Sequence, residues 1–349
     1  MPDKQKYFTY VDKIYESGWI TNQGPLVQEL QTRLAEYLGV KNIVLVANGT
    51  IALEIAYRLL HLKGEVITTP FSFVATTSSL VSNGLKPVFA DIDPKTLNLD
   101  PKNIEAVISE QTAAILPVHV FGNACEVENI EQIADKYNLK VIYDAAHTFG
   151  VNYKGKSLLS HGDVSTISFH ATKLFHTIEG GALIINDDSL VQDANYLINF
   201  GIDSPGSVKA LGINAKMNEF EAAMGLCVLD EIEQITQKRK YIYEIYKSEL
   251  KDLVKFQELN EDSIQNYSYF PIILKDEAQT LKIQKALNEQ EIFPRRYFYP
   301  SLDTLRYIEP KQFCKLSRDI ASRILCLPIY SGLSKTEQKQ IINILKKIL

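Results

Sequence analysis

From Lys41 to Asp187 the chain alternates short β-rich runs with helical stretches, and the runs are apolar almost throughout. Strands covered on one face alternate apolar with polar residues, whereas strands covered on both faces are apolar at nearly every position. The pattern therefore predicts an α/β fold with a mainly parallel central sheet. Its strands are expected at Ile43–Ala47, Glu65–Thr69, Pro87–Asp91, Ala113–Val120, Val141–Ala145, Ser165–His170 and Gly181–Asn186. Near Asn218 the period changes. Glu219–Leu250 carries Leu226, Leu229, Ile232 and Ile235 at helical spacing and reads as one long amphipathic helix. Beyond it, an extended Tyr267–Leu274, a helix over Glu277–Gln290, an extended Ile292–Tyr299 and helices near Lys315–Ile324 and Ser334–Ile348 predict a smaller α+β lobe. A chain of 349 residues exceeds the roughly 250–300 at which single cores stop growing, so two lobes are expected. We place a large domain over 1–235 and a small C-terminal domain over 236–349.

Charge and cysteine usage narrow the function classes. Lys plus Arg number 37 against 42 Asp plus Glu, a formal net charge of −5, and no basic block offers a footprint for nucleic acid. No run of about 18 apolar residues is present, and the first residues are polar, so a cytoplasmic protein without a membrane span is expected. Cys125, Cys227, Cys314 and Cys326 lie far apart, which writes neither a zinc cluster nor a disulfide framework. No metal is expected.

Candidate chemistry gathers at the expected strand ends. In Ser168-Phe169-His170-Ala171-Thr172-Lys173-Leu174-Phe175-His176-Thr177-Ile178-Glu179-Gly180-Gly181, a single lysine sits between a strand end and a glycine pair. Alone, a surface lysine is its more ordinary reading. Asp144, after Val141-Ile142-Tyr143, reads equally as a helix N-cap and as a carboxylate that keeps a pyridine nitrogen protonated. Asn48-Gly49-Thr50 precedes a helix and could offer free N–H groups to a phosphate, although a plain cap predicts the same residues. Ser168 could add a hydroxyl, and Phe73 a ring for stacking, or each could serve the strand and the core. Together these segments supply what pyridoxal phosphate requires: a lysine for covalent attachment, a pyridinium partner, a phosphate cradle and a ring platform. Asn48-Gly49-Thr50 lacks the Gly-x-Gly-x-x-Gly spacing of a dinucleotide site.

These motifs resemble the DegT-type, StrS-like nucleotide-sugar aminotransferases. The resemblance runs through Gly18–Pro25, Asn48–Leu53, Pro70–Thr76, Asp144–Gly150, Ser168–Gly181, Gly212–Glu219 and Leu327–Tyr330. It implies a fold-type-I, aspartate aminotransferase-like architecture, pyridoxal 5′-phosphate as cofactor and pyridoxamine 5′-phosphate as the form carrying the amino group. By that resemblance Lys173 binds the cofactor covalently, Asp144 faces the pyridinium, Phe73 and His147 line the ring, and Gly49, Thr50 and Ser168 hold the phosphate. Asn214 matches a residue reaching the phosphate of the neighbouring subunit, which implies a homodimer with shared active sites. The family's usual Asn-Tyr-Arg is here Asn214-Ala215-Lys216.

The implied reaction is a ping-pong transamination with L-glutamate as donor and a nucleotide-linked ketosugar as acceptor. The segment Lys173–Gly181 looks more like the C4-aminating branch than the C3 branch, and within it like the makers of dTDP-4-amino-4,6-dideoxyglucose from dTDP-4-keto-6-deoxyglucose. Thr21, Lys216, Arg295 and Tyr297, with Arg296, are candidate contacts to the nucleotide sugar, since cations and phenols suit phosphate oxygens. A related dehydratase branch has histidine where Lys173 stands, which argues against dehydration. A non-catalytic sensor that binds the cofactor or a sugar nucleotide is the alternative of another class.

Overall fold

The computed structural model describes residues 2–349. Seven strands form the central sheet: β1 (Ile43–Val46), β2 (Glu65–Thr68), β3 (Lys86–Phe89), β4 (Thr112–Leu116), β5 (Lys140–Asp144), β6 (Val164–Ser168) and β7 (Gly181–Ile185). Their order is β1-β7-β6-β5-β4-β2-β3. The neighbours from β6 through β3 pair in parallel, and β7 runs antiparallel to both β1 and β6. The sheet is thus mainly parallel, as the apolar runs predicted.

Period-two geometry explains why these runs tolerate no polar face. On β1, Ile43 and Leu45 enter one cluster with Leu26, Leu30 and Leu34 of α2 (Pro25–Leu38), the helix after α1 (Lys4–Ser17), while Val44 and Val46 enter another with Ala52, Ile55 and Leu59 of α3 (Gly49–Leu59). Ala182 and Ile184 against Leu183 and Ile185 split β7 in the same way. Strand ends follow backbone chemistry. The expected Ala113–Val120 ends at Leu116, because Pro117 has no N–H to continue the ladder.

Helix starts are written in side chains. Asn48 Oδ1 accepts from Ile51 N–H at 2.9 Å and caps α3. The long helix found over Glu219–Leu250 opens with a reciprocal capping box between Asn218 and Glu221. Its first half packs beneath the sheet, through Ala222, Leu226 and Ile232. Its last turns, through Ile242, Tyr246 and Leu250, enter a separate cluster with Phe270, Ile272, Leu325, Ile341 and Leu345. That cluster is the small lobe, where Pro271–Ile273 pairs antiparallel with Ile324–Cys326. Part of the connection between the helix and this ribbon, over residues 257–264, lies on the large lobe: Gln257 Nε2 donates to Thr96 and Val120 carbonyls, and Ser263–Ile264 pairs with Asn152–Tyr153. A further cluster joins the lobes, with Phe71 and Phe121 on one side and Phe298 and Ile324 on the other.

Among the described residues no helix is long and apolar enough to cross a membrane.

Candidate active site

Sheet register brings distant segments to one edge. Gly181 pairs with Val46 of β1 and with Ser168 of β6, and Asp144 pairs with Thr166. The carboxyl ends of β1, β5 and β6 therefore lie side by side, the usual place for ligands in open α/β sheets. A cleft opens there, and its lining includes Gly49, Thr50, Phe73, Asp144, His147, Ser168, Lys173 and Tyr297.

Lys173 is presented by an anchored loop. Phe169 and Phe175, on either side of it, are fully buried. The Phe175 ring stacks on Phe149 at 4.5 Å, and Phe169 meets Phe175 edge-on at 4.9 Å. Backbone bonds from Phe169 N–H to Gly180 O (2.8 Å) and from Thr177 N–H to Phe169 O (2.9 Å) close the loop. Lys173 is half-buried, its Nζ donating to Tyr269 Oη at 3.3 Å. Burial pushes its ammonium down to about 8, against the opposing pull of the Asp144 charge.

Asp144 is 7% exposed. It accepts from Thr76 Oγ1 at 2.7 Å and from Ala146 N–H at 3.2 Å. Because the one Thr76 hydroxyl proton points at Asp144, the Ser72 hydroxyl 2.7 Å away must donate to Thr76. Burial raises the Asp144 carboxyl above its ordinary value, while Thr76, Ala146 and Lys173 pull it back. His147 accepts from Phe121 N–H at its Nδ1 (3.1 Å), so the neutral ring carries its proton on Nε2. Burial, then the Lys173 charge, holds that imidazole well below its usual range.

A tight cradle lies at the start of α3. A Cβ on Gly49 would stand 2.8 Å from Ser168 Cβ, and one on Gly181 would stand 2.7 Å from the Asn48 carbonyl carbon. Among the described residues neither Gly49 N–H nor Thr50 N–H has a protein acceptor. Two free donors at a helix N-terminus beside a serine hydroxyl suit a phosphate. A buried carboxylate with unused lone pairs suits a protonated ring nitrogen, and an amine with lowered proton affinity suits covalent attachment. The residues present thus fit pyridoxal 5′-phosphate.

The other candidates lie apart from this cleft. Thr21 is exposed between the first two helices. Lys216 Nζ donates to Asn199 Oδ1 (2.8 Å) and Asn214 Oδ1 (3.1 Å) in a separate polar pocket. Arg295 is exposed, with its backbone bridged to Cys326. Arg296 is engaged by Glu277 at 2.8 Å and by the Ser322 carbonyl at 2.9 Å, which makes it structural. His170 lines the cleft, with its Nδ1 2.8 Å from Thr172 Oγ1 and its Nε2 3.5 Å from Glu179; His176 does not line it. Sequence reasoning assigned no role to Thr76 or Tyr269. Thr76 ends the Pro70–Thr76 motif, whereas nothing local separates Tyr269 from Tyr267.

A family model for the DegT/DnrJ/EryC1/StrS aminotransferase family matches residues 2–346. A Shigella dysenteriae protein named dTDP-4-amino-4,6-dideoxy-D-glucose transaminase is 44% identical over 355 aligned positions, covering 100% of this chain and 97% of its own. A solved structure of DesI in the presence of its TDP-sugar product superposes with a TM-score of 0.94 at 33% identity, covering 99% of this chain and 90% of that one. The structure of ntda from Bacillus subtilis with bound cofactor pmp superposes with a TM-score of 0.91 at 26% identity, covering 99% and 81%.

Proposed function

This chain belongs to the DegT/DnrJ/EryC1/StrS aminotransferase family, and from that premise we propose that it transfers the amino group of L-glutamate to C4 of dTDP-4-keto-6-deoxyglucose, forming dTDP-4-amino-4,6-dideoxyglucose. Its fold is that of the sugar aminotransferases, and its cofactor is pyridoxal 5′-phosphate. When bound, that cofactor supplies an electron-withdrawing ring that stabilises charge at the carbon losing a proton. The observation that carries the reading is the convergence of Lys173, Asp144 and the free N–H groups of Gly49 and Thr50 in one cleft.

Lys173 attaches the cofactor and, once free, its Nζ takes and returns the proton at the reacting carbon. An amine whose proton leaves near pH 8 is partly uncharged at neutral pH and can do both. Asp144 holds the proton on the ring nitrogen by opposite charge. Gly49, Thr50 and Ser168 hold the phosphate, and Phe73 and His147 line the ring. Tyr297, from the small lobe, contacts the sugar nucleotide. Thr21, Lys216, Arg295 and Asn214 lie outside their own chain's cleft, which supports a homodimer in which they complete the partner's site. The resemblance in sequence to a C4 transaminase over the whole chain supports the sugar assignment. A cytoplasmic location fits four cysteines that are all buried and free.

Incubating the cofactor-loaded enzyme with L-glutamate and dTDP-4-keto-6-deoxyglucose, then reading the product by NMR, tests the proposal. An amine at C4 is expected, with one 2-oxoglutarate formed per amino sugar. An amine at C3, or wild-type turnover by Lys173→Ala, overturns it.

A further inference from the structure

We propose that Tyr269, reaching in from the small lobe, is a positioning residue for Lys173: its hydroxyl accepts a hydrogen bond from the protonated Nζ and holds the amine in one place while it carries the proton. The proposal rests on the reading of Lys173 as the proton-carrying base.

Geometry supports it from both sides of the contact. The 3.3 Å bond to Tyr269 Oη is the one side-chain hydrogen bond that Lys173 makes among the described residues, and the Tyr269 hydroxyl has no other protein partner. The phenol is itself fixed. Its ring lies 4.5 Å from His147, 5.5 Å from Phe121 and 6.0 Å edge-on from Tyr297. The preceding residue is tied down twice. Ser268 O accepts from the buried Arg239 guanidinium at 3.0 Å, and Ser268 N–H donates to Asn266 Oδ1 at 3.1 Å. Asn266 Nδ2 in turn donates to the carbonyls of His147 (2.8 Å) and Phe149 (3.0 Å), in the loop that follows Asp144. Tyr269 is therefore located by the long helix and by the large lobe.

The charged and titratable groups around Lys173 are Asp144 and His147 from β5 and its loop, His170 and Glu179 from its own loop, and Tyr297 and Tyr269 from the small lobe, with Arg239 behind Tyr269. Burial keeps the Tyr269 phenol un-ionised. Hydrogen bonds to charged groups are stronger than those between neutral ones. Removing the hydroxyl therefore harms the ammonium more than the amine, and Nζ should lose its proton more readily.

The test follows trinitrobenzenesulfonate modification of Lys173 in the cofactor-free full chain across pH, read by peptide mass spectrometry. Tyr269→Phe should lower the midpoint by about one pH unit, a tenfold weaker hold on the proton. Tyr297→Phe, altering a second phenol in the same cleft, should leave it in place. In the loaded enzyme Tyr269→Phe should reduce kcat about tenfold with KM for the ketosugar within twofold. Incorporating 3-fluorotyrosine at position 269 keeps the ring's shape and weakens the oxygen as acceptor, and should shift the midpoint the same way by less. An unchanged midpoint in Tyr269→Phe, or an equal fall in Tyr297→Phe, overturns the proposal. Wild-type turnover by Lys173→Ala would instead reject Lys173 as the base, an outcome independent of the labelling result.

Discussion

Asp144 is buried and Lys173 half-buried, and each is held away from its ordinary proton affinity by desolvation while pulling on the other. Asp144→Asn keeps the shape of the side chain but removes the charge that would hold a proton on the ring nitrogen. The variant should retain cofactor, seen in its absorbance after gel filtration, while kcat falls by about 100-fold or more. For Lys173 the sign of the pH effect follows from linkage. Its proton affinity falls from 10.5 unfolded to about 8 folded, so the unfolded chain binds the extra proton between those values and stability rises with pH across that window. Lys173→Met should stabilise the cofactor-free chain by roughly 1–3 kcal/mol at pH 7, with Asp144 left unpaired as the offset. The advantage should shrink between pH 8 and 10.5, which denaturant titration at several pH values would measure. Both residues were legible because each lies at or just past the end of a strand-like run inside a motif. Tyr269 was not, since Tyr267 and Tyr269 alternate alike and only the docking of the small lobe turns one toward Lys173.

At the scale of elements, the site depends on two close junctions. Gly49 begins α3 with its Cα hydrogen facing Ser168 of β6, and a methyl there meets Ser168 Cβ at 2.8 Å and Cα at 3.2 Å. Gly49→Ala must push the helix start off the strand. We expect a loss of about 1–3 kcal/mol in stability and, measured by fluorescence titration, about a tenfold or greater loss of cofactor affinity. The second junction is between the long helix and α2. Glu219, only 1% exposed, accepts from Leu26 N–H at 2.8 Å and Val27 N–H at 2.9 Å. Its carboxylate caps a helix that has no side-chain cap of its own. Glu219→Ala should cost about 3 kcal/mol in urea unfolding, and Glu219→Gln less, because an amide oxygen keeps part of the bond. The helix over Glu219–Leu250 matched its expected bounds, since capping box and period agree locally. The small-lobe strand expected over Tyr267–Leu274 shortens to Pro271–Ile273, because its ladder exists only where Ile324–Cys326 lies beside it.

For the whole molecule, the arrangement of the lobes decides which side chains enter the cleft. Lys216 lines a pocket apart from its own chain's cleft and donates to Asn214 Oδ1. If they complete the partner's site, mixing inactive Lys173→Ala with a weakened Asn214→Ala under subunit exchange should restore about a quarter of wild-type activity, since half the dimers are mixed and each has one intact site. Activity that stays at the sum of the separate variants would mean each chain's site is self-contained. The sequence by itself determined the parallel α/β layering, because strands covered on both faces are apolar at nearly every position. It also determined the cofactor chemistry, because a lysine, an aspartate and a glycine-led helix start at strand ends have few other uses together. Only the tertiary structure decided which of the many tyrosines and arginines face the cleft. Arg296 is held by Glu277 and Ser322, while Tyr269 meets Lys173. Those roles depend on pairings between residues 19 to 96 positions apart, and a local pattern of residues carries no record of such distances.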